Sequence, residues 1–100
     1  MSFTGYAFIY LGTGEEDPAV DRAVIERGGL RTVIVAIPDR HQVASIAAEL
    51  VTDGAQSIEL CGAFAAVDVQ TVREAIGPAV PVGAVHFDMD AAPKVAALFG

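Results

Sequence analysis

Two stretches of the chain carry the side chains best suited to chemistry. Ser57-Ile58-Glu59-Leu60-Cys61-Gly62-Ala63-Phe64 holds a carboxylate and the single cysteine at alternate positions, followed at once by glycine. Val82-Gly83-Ala84-Val85-His86-Phe87-Asp88 holds an imidazole and a carboxylate, also two residues apart. Side chains two apart on a strand share a face, so Glu59 pairs with Cys61 and His86 with Asp88. If the two polar faces coincide, the four residues form one cluster. Glu59 and His86 would move protons, Cys61 would serve as nucleophile or acid, and Asp88 would orient His86. An acid inside a covered strand is costly unless it is paired, and a Glu59–His86 contact is the simplest remedy. Each residue also has a plainer reading. Cys61 suits a small buried hydrophobe, His86 a structural histidine, and Glu59 an edge acid bonded to backbone or to Lys94.

Elements that would position this cluster follow from the pattern. Tyr6 to Leu11 is aromatic and β-branched between Gly5 and Gly12 and predicts a first strand. Asp17 followed by Pro18 predicts a helix start, with Val20, Ala23, Val24 and Arg27 at helical spacing and Gly28-Gly29 as the stop. Thr32 to Ile37 is a continuous apolar run, as in a strand covered on both faces. Asp39 predicts a cap for a second helix whose stripe is Val43, Ile46, Ala47 and Leu50, ending at Gly54. Ser57 to Cys61 gives the third strand. A third helix has Asp68 as cap and Val69, Val72 and Ile76 as its inner side. Val82 to Phe87 is the fourth strand, and a short last helix carries Val95, Leu98 and Phe99.

The resulting order is (βα)4, an α/β domain over residues 1–100 with a four-stranded, mostly parallel sheet. Two closures compete: an open three-layer sandwich with helices on both faces, and a half-barrel that must associate to cover its edges. In either, the carboxyl ends of the strands are where a site forms. Tyr10, His41 and Gly62 fall there as candidate ligand-binding residues. Gly12-Thr13-Gly14 lacks the third glycine of a dinucleotide loop, since Asp17 stands at that position, and Glu15 and Glu16 would repel a pyrophosphate. No P-loop lysine or Gly-x-Ser-x-Gly elbow is present. Two histidines without a spaced pair make a poor metal motif. The expectation is therefore no cofactor and no metal.

Composition narrows the partners. The formal net charge is −7, and the six basic residues are scattered, which disfavours nucleic acid and anionic membrane. The chain is 53% hydrophobic, high for 100 residues, which points to an apolar surface buried in a homo-oligomer or to alanine-rich helix faces. A lone cysteine and an N-terminus without a leader pattern suggest a cytoplasmic protein.

Pro38-Asp39, the helix end from Glu49-Leu50 to Gly54, Ile58 to Phe64, and Pro81-Val82-Gly83 with Phe87-Asp88 together resemble a family of small stand-alone bacterial proteins of about this length, catalogued only as a domain of unknown function. That resemblance spans nearly the whole chain and implies no activity. Glu49 to Val85 is also similar to a βαβ unit of aldolase-type (βα) barrels, in which a strand-borne Glu can act in proton transfer. The Schiff-base lysine of those enzymes has no counterpart, because Lys94 is the only lysine and lies in the last helix. The reading of function is a small-molecule enzyme of cofactor-independent acid/base type, an isomerase, lyase or hydrolase. The alternative is a non-catalytic oligomeric module that binds a small ligand or supports a partner enzyme.

Overall fold

A computed structural model describes residues 2–99. Among these residues five strands form one mixed sheet: β1 (Gly5–Leu11), β2 (Arg22–Arg27), β3 (Leu30–Ile37), β4 (Ile58–Leu60) and β5 (Val82–Ala84). Three helices follow the later strands: α1 (Val43–Thr52), α2 (Ala66–Ile76) and α3 (Ala92–Phe99). The strand order is β2-β3-β1-β4-β5. All neighbours run parallel except β2 and β3, which form an antiparallel hairpin.

That hairpin corrects the first predicted helix and raises the strand number from four to five. Asp17 does start a single turn. Its carboxylate accepts the Ala19 N–H, and its carbonyl accepts those of Val20 and Asp21. The chain then straightens at Arg22. Gly28 and Gly29 have φ of 62° and 81°, a two-residue hairpin loop that needs positive φ at both positions. The glycines read as a helix stop are thus a strand reversal, and the β-branched pair Val24-Ile25 goes to the sheet.

The strand order also excludes the half-barrel. A barrel keeps consecutive strands adjacent, whereas β1 here sits inside the sheet between β3 and β4. The three-layer alternative needs correction too. Ala7 and Ile9 of β1, Val33, Val35 and Ile37 of β3, Ile58 and Leu60 of β4, and Val82 of β5 all point to one face. They form the core with Val43, Ala47 and Leu50 of α1 and Val69 and Val72 of α2. Both long helices therefore lie on the same side of the sheet. In a doubly wound fold the connection after the first strand is a helix that covers the other side. The β2 hairpin takes its place.

The opposite face carries Tyr6, Phe8 and Tyr10 of β1, Thr32, Ile34 and Ala36 of β3, Ala23 and Ile25 of β2, and Glu59 of β4, as the pairing registers require. Only Ala36 is buried there, beside Asp21, whose carbonyl takes its N–H. α3 contains no buried residue. No helix among the described residues is long and apolar enough to cross a membrane.

Candidate functional site

β1 and β4 are neighbours whose onward connections leave in opposite directions, β1 toward β2 and β3, β4 toward β5. This is a topological switch point, and the crevice at the carboxyl ends of such a strand pair is where open α/β sheets bind ligands. Cys61 stands at its mouth. Its N–H donates to the Ile9 carbonyl at 3.1 Å, and its Sγ accepts the Leu11 N–H at 3.4 Å. The thiol is half-buried and tied to the first strand.

Glu59 lies one pleat earlier on β4, opposite Phe8. Its side chain is on the uncovered face, where Tyr6 Oη donates to Glu59 Oε1 at 3.0 Å. The carboxylate is therefore not the buried acid that the sequence pattern suggested, and it needs no histidine to compensate it. Burial lifts the Tyr6 hydroxyl above its ordinary value, and the Glu59 hydrogen bond and charge push it the same way. A groove of about 390 Å³ runs past Glu59 between Ser57–Glu59 and Pro81–Val85.

His86 and Asp88 do not share the Glu59 row. Gly83 is opposite Glu59 and Ala84 opposite Leu60, so the alternation carries Val85 toward the Cys61 side and leaves His86 one position out of phase. β5 itself stops at Ala84. His86 is exposed, and Asp88 is the residue before the short turn Met89–Ala91 that leads into α3. The assumed coincidence of polar faces fails by that one-residue offset. Among the described residues no group of three or more His, Cys, Asp or Glu is placed to hold a metal ion.

The three candidate ligand residues are separated. Tyr10 extends the aromatic row of β1 and lines a shallow groove of about 430 Å³ with Glu16, Asp21, Arg22, Ala23, Ile34 and Ala36. His41 is exposed and its Nδ1 is 2.8 Å from Asp39 Oδ1. Asp39 caps the first turn through the His41 N–H, and that bond, followed by the imidazole contact, lowers the Asp39 carboxyl from its usual range. At Gly62 an added Cβ would come within 3.0 Å of the Phe87 ring. The glycine therefore makes room for an aromatic ring.

Three features escaped the sequence reading. Tyr6, Phe8 and Tyr10 alternate, a period-two aromatic row that could have been taken as one face. Arg40 bridges the loops after β3 and β4: Nη1 donates to Asp68 Oδ2 at 2.9 Å and Nη2 to the Ala63 carbonyl at 3.4 Å. Asp68, expected as the cap of α2, lies instead within its first turn, and from there it turns back to accept the N–H of the actual N-cap, Ala65, at 2.7 Å. Glu16 folds onto its own loop and accepts the Thr13 and Gly14 N–H groups and the Thr13 hydroxyl. These bonds, the Thr13 amide foremost, hold its carboxyl down at about 2.

Comparison with known proteins adds the family. A family model described as a family of unknown function (DUF6506) matches residues 4–100. Neither the curated proteins nor the solved structures contain a match. With nearly its full length matched, and the expected resemblance to a small family of unknown function borne out, the chain belongs to the DUF6506 family.

Proposed function

We propose that this protein is a small-molecule enzyme of cofactor-independent acid/base type, working as a homo-oligomer in the cytoplasm. The observation that supports it is the Tyr6–Glu59 pair, a carboxylate held by a phenol on an aromatic-lined sheet face beside the β1/β4 switch point. Glu59 takes a proton from the substrate and returns it at a second position or to a leaving group. Tyr6 keeps the carboxylate oriented and can turn its hydroxyl to a developing oxyanion. Phe8 and Tyr10 hold the apolar part of the molecule, and Cys61 lies one pleat from Glu59 at the carboxyl edge. His86 and Asp88 enter only as residues at the rim. Isomerisation, elimination and hydrolysis all fit a single carboxylate base without a redox group.

A second reading, a non-catalytic ligand-binding or partner-supporting module, is favoured by the open shape of the groove beside Glu59. One experiment separates the readings. Freshly purified protein is examined by native mass spectrometry for a retained small molecule, and a fragment library is screened by amide chemical shift. Ligands that move the Tyr6, Phe8, Tyr10, Glu59 and Cys61 amides support the site. Ligands that move none of these sink it. Turnover of such a ligand by wild type and its loss in Glu59→Gln, with binding retained, supports the enzyme. Binding without turnover in either protein supports the module.

A further inference from the structure

We infer that α3 is an exchanged arm, and that the α3 of a second copy covers the open sheet face of the first, reciprocally. The inference rests on the homo-oligomer part of the proposed function and specifies how that oligomer is built.

Two incomplete parts of one chain motivate it. The first is the sheet. Parallel strands are ordinarily covered on both faces, and the four parallel strands here have α1 and α2 on one side only. The second is α3. It has eight residues and none is buried. An isolated helix shorter than about 12–15 residues is marginal in water, so this one needs a surface to lie on. Val95 is half-buried, but the other large apolar residues of α3, Leu98 and Phe99, are 76% and 80% exposed in the single chain.

Area and charge agree with a second copy as the occupant. Phe3, Tyr10, Ile25 and Val85 about the open face, and Phe87, Met89, Leu98 and Phe99 on the arm and its root, are all exposed large apolar side chains. At roughly 180 Å² for a large side chain, their exposed parts come to on the order of 900 Å² per chain. A standard stable interface needs about 800 Å² from each partner. Reciprocal exchange about a two-fold axis hides both arms and both faces in one closed assembly. α3 carries no acid and holds Lys94, the only lysine in a chain of net charge −7. Of the acids about the open face among the described residues, Glu59 stands on a strand, opposite Phe8, while Glu16 and Asp21 lie beside Tyr10. Lys94 against Glu59 would lay Leu98 and Phe99 over the aromatic row of β1, and the arm would roof the proposed site.

The test uses the full chain. Light scattering at micromolar concentration should give twice the monomer mass for wild type. Leu98→Asp, which spoils the arm, and Tyr10→Asp, which spoils the face, should each give monomers with native circular dichroism. Mixing them should restore association, because each supplies the half that the other lacks. A monomeric wild type overturns both the inference and the homo-oligomer. A Leu98→Asp protein that stays dimeric overturns arm exchange alone. Should either variant fail to fold, wild type decides. Carbodiimide coupling of ¹⁴N and ¹⁵N protein unfolded and refolded together should join Lys94 of one label to Glu59 of the other. Coupling of Lys94 only within one label means that the arm folds back on its own chain, and the exchange is then wrong.

Discussion

Replacing Asp68 by alanine should destabilise the protein more than any other change at the carboxyl edge of the sheet. Its carboxylate is 11% exposed and makes two bonds. One closes the start of α2 on the Ala65 N–H, and loss of such a cap costs about 1 kcal/mol. The other receives Arg40, and a bridge to so exposed a guanidinium contributes at most about 1 kcal/mol. Arg40 is 44% exposed, so water can take over its guanidinium, and no buried charge is stranded. The expected loss is therefore about 2 kcal/mol, not the larger cost of breaking a fully buried pair. For a 100-residue domain that lowers Tm by roughly 10 °C. Asp68→Asn keeps an acceptor for Ala65 and should lose only about 1 kcal/mol. Arg40→Ala should lose at most about 1 kcal/mol, as half-exposed pairs do. Urea unfolding of wild type, Asp68→Ala, Arg40→Ala and the double variant measures all of these, with a coupling of about 0.5–1 kcal/mol expected. If Arg40→Ala costs as much as Asp68→Ala, the guanidinium and not the cap holds the two loops together, and this division of energy between cap and bridge is refuted.

Other outcomes follow from individual residues. Glu59→Gln removes a charge and a charged acceptor beside Tyr6, so the Tyr6 phenol should titrate at lower pH than in wild type; absence of that shift in the ring resonances would deny the Tyr6–Glu59 contact. Glu16 is held at about 2 from an ordinary 4.5. Its contribution is present above the ordinary value and lost as pH falls through the lower one, so Glu16→Gln should flatten the acid limb of the stability curve between those limits, read by thermal unfolding against pH. Gly28→Val and Gly29→Val place a β-branched residue at positive φ and should each cost more than about 1 kcal/mol, while Gly28→Asn is tolerated better; equal stability for Val and Asn would contradict the hairpin. An added Cβ at Gly5 would run into the Gly54 carbonyl, a backbone atom that cannot swing away, so Gly5→Ala should lower Tm markedly, and an unchanged Tm would show that this close approach is absent.

Much of the scaffold was legible because local chemistry and tertiary role agree there. Ile58-Glu59-Leu60 is a strand, Val43, Ala47 and Leu50 form the buried stripe of α1, and Asp39 caps the turn Arg40–Gln42 that leads into that helix. At Arg22 to Arg27 they disagree. Asp17-Pro18 and a double glycine are helix punctuation, yet Gly-Gly also fits a two-residue hairpin, and pairing with β3 decides between them. The cluster of Glu59, Cys61, His86 and Asp88 rested on register, which alternation alone does not supply. One residue of offset between β4 and β5 separates His86 from Glu59. The Arg40–Asp68 bridge joins positions 28 apart with no local signal, and only the fold shows it.

The β2–β3 hairpin also has a bearing on the order of folding. Arg27 and Leu30 close over two residues, whereas β1 reaches β3 only after Gly5 finds Arg31. Loop closure is cheapest for the shortest loop, and local pairings form within microseconds. The hairpin should thus be the earliest sheet structure, a ready-made edge onto which β1 aligns in parallel. Kinetic measurements on Val24→Ala and Val33→Ala would show it as slowed folding with little change in unfolding. In a fold whose parallel pairings all require long excursions of chain, replacing one crossover helix by a hairpin supplies a local starting point, and it does so by leaving one side of the sheet bare.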